Sequence, residues 1–207
     1  MDSSCFLCGS SSHNFFEKTY KCSRCFFIFK TEELFLSKED EEARYRFHQN
    51  KENDQGYKDF LNRLVVPLKT FLKKENSFLD YGCGSYSQLS KLVEDHVATT
   101  DFYAPLFFPN QNNVTQYDIV ACTEVVEHFK NPLENWKKLI KTVKPQGILA
   151  VMTQFYDETI DYKTWWYKND PTHIGFYSEE TFEYLAEKFH IKILYNDHRS
   201  VIIFRNG

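Results

Sequence analysis

In residues 75–207, short apolar runs typical of buried strands alternate with stretches whose apolar residues have the spacing of an α-helix. Short apolar runs bounded by turn residues predict four buried strands, at 78–81, 97–101, 117–122 and 148–153. Two further apolar runs, 191–195 and 200–204, are close enough in sequence to pair antiparallel at an edge of the sheet. Strands that alternate with helices indicate a doubly wound α/β sheet, open at the carboxyl ends of its strands.

Apolar residues at helical spacing predict the elements that cover this sheet. One helix lies between the first two strands, a second begins with Asn131 as its cap, and a third begins after the cap residue Ser178. Ahead of the sheet, the spacing over 57–72 predicts a further helix, which Pro67 should kink or split. Residues 102–116 have no clear period and should hold at most a short third strand.

Four of the six cysteines form two Cys-x-x-Cys pairs near the N-terminus, Cys5, Cys8, Cys22 and Cys25. Each pair can turn two thiolates toward one tetrahedral ion, and two pairs complete a four-sulfur zinc site. Residues 1–30 are too few to hold a core of their own, so the ion would supply folding free energy. We therefore expect a zinc-binding unit at 1–30, a helical connecting segment at 31–74 and a main domain at 75–207.

Composition narrows the partners that the chain could bind. A net charge of −4 over 207 residues gives no general attraction for nucleic acid, although a local basic patch remains open. No apolar run is long enough to span a membrane, and the first residues lack the basic and apolar regions of a signal peptide. We expect a cytoplasmic protein with no membrane partner, and the oligomeric state stays open.

A glycine turn and a spaced acid indicate a nucleotide-type site. The first predicted strand ends in Asp80 and runs into Gly82 and Gly84, a turn that leaves backbone N–H groups facing a ligand. About twenty residues later, Asp101 ends the second apolar run, where a carboxylate could accept both hydroxyls of a ribose. The pair predicts a nucleoside-containing cofactor at the strand ends, with a ligand-free strand, turn and helix as the alternative.

Five motifs follow one another along the chain: Asp80-x-Gly82-Cys83-Gly84, Asp101, Tyr117-Asp118-Ile119-Val120, Thr123-Glu124-Val125-Val126-Glu127-His128-Phe129-x-x-Pro132, and Lys144-Pro145-x-Gly147. In this order they resemble the motifs of class I S-adenosylmethionine-dependent methyltransferases, in particular the branch that includes ubiquinone-biosynthesis O-methyltransferases. The resemblance covers about residues 75–205, and some members carry a similar four-cysteine zinc unit in front. It implies a Rossmann-like sheet of seven strands, mostly parallel, with the last strand antiparallel.

The resemblance also implies S-adenosylmethionine as the cofactor. The residues that would hold it lie at strand ends: Asp80, Gly82 and Gly84 for the methionine part, Asp101 for the ribose with Phe102 next to it, and Thr123 and Glu124 beside the methyl group. Where the family usually has a further glycine, this chain has Tyr86, which either stacks on the cofactor or crowds it.

A second resemblance concerns a divalent metal. Glu124-x-x-Glu127-His128 brings two carboxylates and an imidazole into one short turn, and His173 follows in a later loop. Small-RNA 2′-O-methyltransferases and some quinone O-methyltransferases are similar in holding an ion on such a set, beside the acceptor hydroxyls. The resemblance implies Mg²⁺, or an ion better suited to histidines. Without a metal, Glu127 and His128 would brace the loop and His173 would serve as a general base, so these three are the catalytic candidates.

These observations predict an enzyme that methylates a small-molecule acceptor, with oxygen as the first choice of atom. An aromatic segment, 161–170, lies where this fold places its acceptor wall, although it could equally pack as core. An RNA or protein methyltransferase recruited by the zinc unit is one alternative. A non-catalytic domain that keeps the fold but has lost donor binding is another, favoured by Tyr86 and the short third strand.

Overall fold

The computed structural model describes residues 3–47, 54–108 and 115–207. The strands in these ranges are β1 (Ser3–Ser4), β2 (Ser11–Phe16), β3 (Thr19–Cys22), β4 (Ile28–Lys30), β5 (Ser77–Tyr81), β6 (Thr99–Tyr103), β7 (Tyr117–Thr123), β8 (Val143–Met152), β9 (Gly175–Phe176), β10 (Lys192–Asn196) and β11 (Val201–Arg205). The α-helices are α1 (Lys38–Phe47), α2 (Gln55–Leu68), α3 (Gln88–Val93), α4 (Pro132–Lys141) and α5 (Glu179–Phe189).

The central sheet has six strands among the described residues, in the order β10-β11-β8-β7-β5-β6. Strands β6, β5, β7 and β8 run parallel, and β11 pairs antiparallel with both β8 and β10. The prediction of a doubly wound α/β sheet with an antiparallel last strand is therefore confirmed. Six strands replace the seven that the resemblance implies, and residues 109–114, within the stretch expected to hold a short third strand, lie outside the described ranges.

Helices cover both faces of this sheet, because each strand buries side chains on alternate sides. On one face, α2 and α3 pack leucines and valines against strand residues such as Phe78 and Ile203. On the other face, α4 and α5 contribute Trp136 and Phe182, both fully buried. Burial of each large apolar side chain stabilises the fold by roughly 1.5–3 kcal/mol, so these two layers fix the strand ends in place.

A second, smaller sheet holds the cysteines and has the order β1-β2-β3-β4-β9. Its last strand comes from far along the chain, since Ile28 pairs with Phe176 and Phe29 with Gly175. A cluster of buried aromatic residues, including Tyr162 and Trp165, packs against Ile28 beneath this junction. The N-terminal unit is thus joined to the main domain by strand pairing as well as by side chains, and the boundaries expected at residues 30 and 74 stay predictions.

Two predicted boundaries differ from the structure for local reasons. Pro67 lies within the last turn of α2, where the helix continues to Leu68 without splitting and then tightens into a 3₁₀ turn at Lys69–Phe71. The residues 144–147, expected only to end a helix, belong to β8, which begins at Val143 because Tyr117 pairs with it. Within the described residues, no helix combines the length and the apolar character that a membrane crossing requires.

Candidate active site

A cavity of about 910 Å³ opens at the carboxyl ends of β5 and β7. Asp80 and Thr123, from the ends of these strands, lie on its wall. Residues of α1 and the first turns of α2 form a second part of the wall, and the segment after β8 contributes Trp166 and His173. In open α/β sheets, this crevice at the carboxyl ends of the strands is the usual ligand site.

The glycine turn after β5 forms the floor of this cavity with backbone alone. Gly82 has φ +88°, and a Cβ atom there would lie 2.3 Å from Cγ2 of Val125, so only glycine fits. Its N–H donates to the Tyr103 carbonyl at 2.6 Å, which ties the turn to β6. Gly84 has φ +72° with open space where a side chain would be. A ligand can therefore approach the Gly84 backbone closely.

Asp80 presents a buried carboxylate to the cavity. Only 2% of the residue is exposed, and Oδ2 accepts a hydrogen bond from the Ser87 hydroxyl at 2.7 Å. Oδ1 is buried without a partner among the described residues. Burial raises the pKa of Asp80 to about 7, and the Ser87 bond only partly opposes this. A cationic ligand group that reached Oδ1 would therefore satisfy it and hold the carboxyl in its charged form.

Two glutamates meet on the hydroxyl of Tyr167. Glu127 is fully buried in the turn after β7, and its Oε1 accepts from the Tyr167 hydroxyl at 2.6 Å. The same hydroxyl lies 3.1 Å from Oε2 of Glu124, while Thr153 donates to the other Glu127 oxygen at 3.0 Å. Burial, followed by the charge of Glu127, raises the pKa of Glu124 well above its usual range. Glu124 also has a left-handed backbone, φ +52°, which is a strained conformation for this residue.

Both His128 and His173 point their Nε2 atom toward the carboxylate of Glu127. Nδ1 of His128 lies 2.9 Å from the Thr172 carbonyl, and Nδ1 of His173 lies 2.8 Å from the Tyr167 carbonyl. A carbonyl oxygen can only accept, so each Nδ1 carries the proton and each Nε2 offers a lone pair. These Nε2 atoms lie 3.9 Å and 4.0 Å from Oε1 of Glu127. Burial lowers the pKa of His173, which keeps its ring neutral.

This arrangement fits a divalent metal. One ligand atom from each of Glu127, His128 and His173 lies within 4.8 Å of the others. Histidines that bind metals generally donate their other ring N–H to a carbonyl or carboxylate, as both do here. Two imidazoles and one carboxylate suit Mn²⁺, Fe²⁺ or Zn²⁺ better than Mg²⁺. Glu124, the fourth ligand implied by the resemblance, is not part of this converging set and is linked to it through Tyr167.

The four N-terminal cysteines also converge. The Sγ atoms of Cys5 and Cys25 lie 3.6 Å apart, and those of Cys8 and Cys22 lie 3.4 Å apart. Four sulfurs around one tetrahedral zinc are about 3.8 Å apart, given Zn–S bonds of about 2.3 Å. The backbone N–H groups of Arg24 and Cys25 point at Cys22 Sγ within the second knuckle, at 3.4 Å and 3.5 Å. The cluster therefore has the ligands and the spacing of a structural zinc site.

Asp101, Phe102 and Tyr86 are not among the residues that line the cavity, and their part in cofactor binding stays a prediction. Strand β6, the second strand of the main domain, ends at Tyr103. Asp101 therefore lies in the middle of β6, opposite Leu79 of β5 and two residues before the strand end. Its carboxylate instead accepts from the Tyr117 hydroxyl at 2.7 Å and from the Phe102 N–H at 2.9 Å. Tyr86 is half-buried and leaves the space beside Gly84 open.

Comparison with known proteins identifies the family. The sequence profile of a family described as "Methyltransferase domain" matches residues 45–195, well over half of the chain. The chain belongs to this methyltransferase family. A ubiquinone biosynthesis O-methyltransferase from Rickettsia bellii is 46% identical over 117 residues, which cover 45% of this chain and 49% of that one. The chain thus spans about half the length of the curated relatives it matches.

Solved structures share the fold of this methyltransferase. An S-adenosylmethionine-dependent methyltransferase from Methanosarcina mazei superposes with a TM-score of 0.52 at 13% identity, over 68% of this chain and 96% of that one. An O-methyltransferase family protein from Burkholderia thailandensis gives a TM-score of 0.51 at 11% identity, over 81% of this chain and 63% of that one. At these identities the likeness concerns the fold alone.

Sequence reasoning missed the contribution of α1 to the methyltransferase site. Arg44 on this helix forms an ion pair with Asp170 at 2.8 Å, and the Tyr45 ring packs edge-on against His128. The high charge of 38–47 indicates a solvated helix, so its pattern gave no signal of a cavity wall. The aromatic segment serves two purposes, since Trp165 and Tyr167 are buried while Trp166 is 67% exposed on the cavity wall.

Proposed function

We propose that this chain is an S-adenosylmethionine-dependent O-methyltransferase that acts on a small hydroxylated acceptor, with a divalent metal ion held by Glu127, His128 and His173. The observation that carries the proposal is the convergence of two Nε2 atoms on one buried carboxylate, Glu127, with both histidines on the wall of the cavity. A bound ion would lower the pKa of an acceptor hydroxyl that touched it.

The donor half of the site follows from the turn after β5. Asp80 would accept a hydrogen bond from the ammonium group of the methionine part of the cofactor. This bond would give the buried Oδ1 of Asp80 the partner that it lacks among the described residues. The Gly82 and Gly84 backbone leaves room for the same part of the cofactor. Beyond β6 the described cavity lining is the apolar run 104–107, which would pack against the nucleoside. Asp101 is exposed and would accept the ribose hydroxyls, as its spacing from the glycine turn predicts.

The transfer step balances with residues of this chain. The acceptor hydroxyl would give its proton to Glu124 on the cavity wall, a step that requires this carboxyl to be ionised beforehand. The acceptor oxygen attacks the methyl carbon, the carbon–sulfur bond breaks, and its electron pair stays on sulfur to give S-adenosylhomocysteine. The Tyr167 hydroxyl donates its one proton to Glu127 at 2.6 Å and lies 3.1 Å from Glu124, so it links the two carboxyl groups. The protein thereby aligns oxygen, methyl group and sulfur, which supplies most of the rate enhancement expected for such a transfer.

The small-molecule acceptor is supported by the relative, whose name places it in ubiquinone biosynthesis. The cavity, at about 910 Å³, is at the upper end of the range for small-molecule sites, which allows a donor and an acceptor together. The exposed face of Trp166 offers a planar surface for an aromatic acceptor.

We expect S-adenosylhomocysteine to bind the zinc-loaded protein with a Kd in the micromolar range by calorimetry. In the presence of Mn²⁺, radiolabelled donor should methylate an ortho-dihydroxy aromatic acid, such as 3,4-dihydroxybenzoate. Chelation of Mn²⁺ should stop the transfer without loss of S-adenosylhomocysteine binding. Absence of product binding by the folded protein would contradict the donor site, and transfer that is insensitive to chelation would contradict the metal.

Asp80 gives a prediction about pH. Its pKa near 7 means that donor affinity should fall as the pH drops through 7, because the protonated acid cannot pair with an ammonium group. Asp80→Asn should weaken S-adenosylhomocysteine binding by about 10- to 100-fold at pH 8 and flatten this pH dependence. Calorimetry between pH 6 and pH 8 measures both effects, with Asp95→Asn on the exposed turn after α3 as the control.

The raised pKa of Asp80 also predicts how the stability of the fold depends on pH. A raised pKa in the folded state means that the native protein holds this proton more tightly than the unfolded chain does. The free energy of unfolding of the ligand-free protein should therefore fall as the pH rises from about 4 to about 7. Asp80→Asn removes the buried charge, so it should melt at a higher temperature than the parent at pH 8. A lower melting temperature would show that the carboxylate is stabilised by groups other than Ser87.

A further inference from the structure

Lys30 connects the cysteine sheet to the loop that carries His173. It is the last residue of β4, and its Nζ donates to the carbonyls of Lys168 and Asp170 at 2.9 Å and 3.2 Å. Its backbone N–H donates to the Ile174 carbonyl at 2.9 Å. One residue of the N-terminal unit therefore bonds the backbone on both sides of His173.

The strand beside Lys30 extends this attachment. Phe29 pairs with Gly175 in the β4–β9 ladder, directly after the His173 loop. A Cβ atom on Gly175 would lie 2.6 Å from the Phe27 ring, so this ring touches the β9 backbone itself. The same ring packs on Tyr177, whose hydroxyl donates to the Val126 carbonyl next to Glu127. Both the histidine and the carboxylate of the site are thus braced from the cysteine sheet.

The direction of the His173 ring depends on the loop that Lys30 holds. Nδ1 of His173 bonds the Tyr167 carbonyl, and its backbone N–H bonds the Asp170 carbonyl at 3.1 Å. The two carbonyls that Lys30 binds belong to residues between these anchors or at one of them. A shift of this loop would rotate Nε2 away from Glu127. Metal and catalytic centres lose much of their activity when ligands move by about 1 Å.

We propose that Lys30 is a positioning residue of the acceptor site, and that the four-cysteine unit acts through it to hold His173 against Glu127. This inference rests on the metal centre of the proposed function. The unit is then a structural part of the active centre, and loss of its zinc would disorder the metal ligands while leaving the donor turn at Gly82 intact.

Burying the charge of Lys30 at the end of β4 costs solvation free energy, which argues against a role in packing alone. Burial lowers the pKa of Lys30 to about 8, so its charge is held at the expense of solvation. An apolar side chain would fill the same space without that cost. In return, the loop gains two charge-assisted bonds, to the carbonyls of Lys168 and Asp170. Arg44 pairs with the Asp170 side chain, so α1 and the cysteine sheet hold the same loop together.

The test compares Lys30→Met with Lys18→Met, which removes an exposed ion pair with Glu33 from the same unit. In zinc-loaded protein, Mn²⁺ titration followed by electron paramagnetic resonance should show an affinity at least about 10-fold lower for Lys30→Met. S-adenosylhomocysteine affinity and zinc content should match the parent. If Lys30→Met folds poorly, Lys30→Gln replaces it. Glutamine keeps a hydrogen-bond donor on a shorter side chain, so its Mn²⁺ affinity should lie between that of the parent and the 10-fold loss. Equal Mn²⁺ affinity in Lys30→Met and the parent would overturn the proposal.

A second readout does not depend on the metal. Nitrogen-15 shifts of the His173 ring, assigned with His173→Gln, should report a single Nδ1–H tautomer in the metal-free parent and in Lys18→Met. Lys30→Met should show a mixture of tautomers, because Nδ1 loses its fixed carbonyl partner. If the parent binds no Mn²⁺, the metal centre of the proposed function fails while this spectrum still decides the role of Lys30. A single unchanged tautomer in Lys30→Met would refute it.

Discussion

Glu127→Gln is expected to lower the rate of methyl transfer by about 10³-fold, while the affinity for S-adenosylhomocysteine changes by less than about threefold. Glu127 is the only carboxylate on which both Nε2 atoms converge within the described residues. The amide has nearly the same volume in this fully buried position, so the fold should survive. It lacks the negative charge that a divalent ion requires in this set, and the lost attraction is several kcal/mol.

Glu134→Gln is the matched control, because Glu134 lies exposed on α4 and pairs with Lys137 at the surface. Transfer of a radiolabelled methyl group, Mn²⁺ affinity and S-adenosylhomocysteine calorimetry should be measured on both variants. The control should match the parent in all three. If Glu127→Gln retained transfer within tenfold of the parent, the pair Glu127 and His128 would brace the loop without binding metal. His173, not engaged by a metal, would then be a second candidate general base beside Glu124.

The second large effect is expected at the cysteine cluster. A structural zinc contributes about 10–16 kcal/mol to the folding of small zinc units, so its loss should unfold β1 to β4. Cys8→Ser is the suitable variant, since Cys8 is the least buried of the four ligands. We expect zinc content near one per chain in the parent, and hydrogen exchange at 3–30 should rise by orders of magnitude in Cys8→Ser.

The control for this experiment is Cys83→Ser, which changes a cysteine on the wall of the donor cavity, outside the cluster. Its zinc content should equal that of the parent. Exchange at Gly175 and Phe176 should follow that of the cysteine sheet, because these residues form its edge strand. A parent protein that folds fully without zinc, or a Cys8→Ser variant with unchanged exchange, would show that the thiols serve as core and not as ligands.

Much of the fold is predictable because its signals are local. The alternation of apolar runs with helical spacing gave the sheet and its helices, and the cysteine spacing gave a cluster that the structure brings together. The resemblance to metal-dependent methyltransferases grouped Glu124, Glu127, His128 and His173, and the structure brings the last three together. The histidine tautomers were not predictable, because the carbonyls that set them belong to residues 167 and 172, in the segment between β8 and β9.

Register and long-range pairing are the features that the sequence could not resolve. Asp101 satisfies the spacing rule for a ribose acid, but the strand continues to Tyr103, and the Asp101 carboxylate accepts from the Tyr117 hydroxyl. A strand end cannot be predicted to within two residues from sequence, so the ribose contact stays a prediction. The role of Lys30 was equally hidden, since nothing near it in sequence indicates a partner at Asp170.

The β4–β9 pairing has a consequence for how the polypeptide reaches this state. The four cysteines expected to bind zinc are all made by residue 25, so this segment could capture an ion early during synthesis. The strand that it must pair with, β9, begins only at Gly175. Docking of the two therefore closes a long loop, from residue 30 to residue 175, which is entropically slow. Until then the edge of β4 is open to a neighbouring polypeptide, and exchange of N-terminal units between copies is the expected misassembly at high expression.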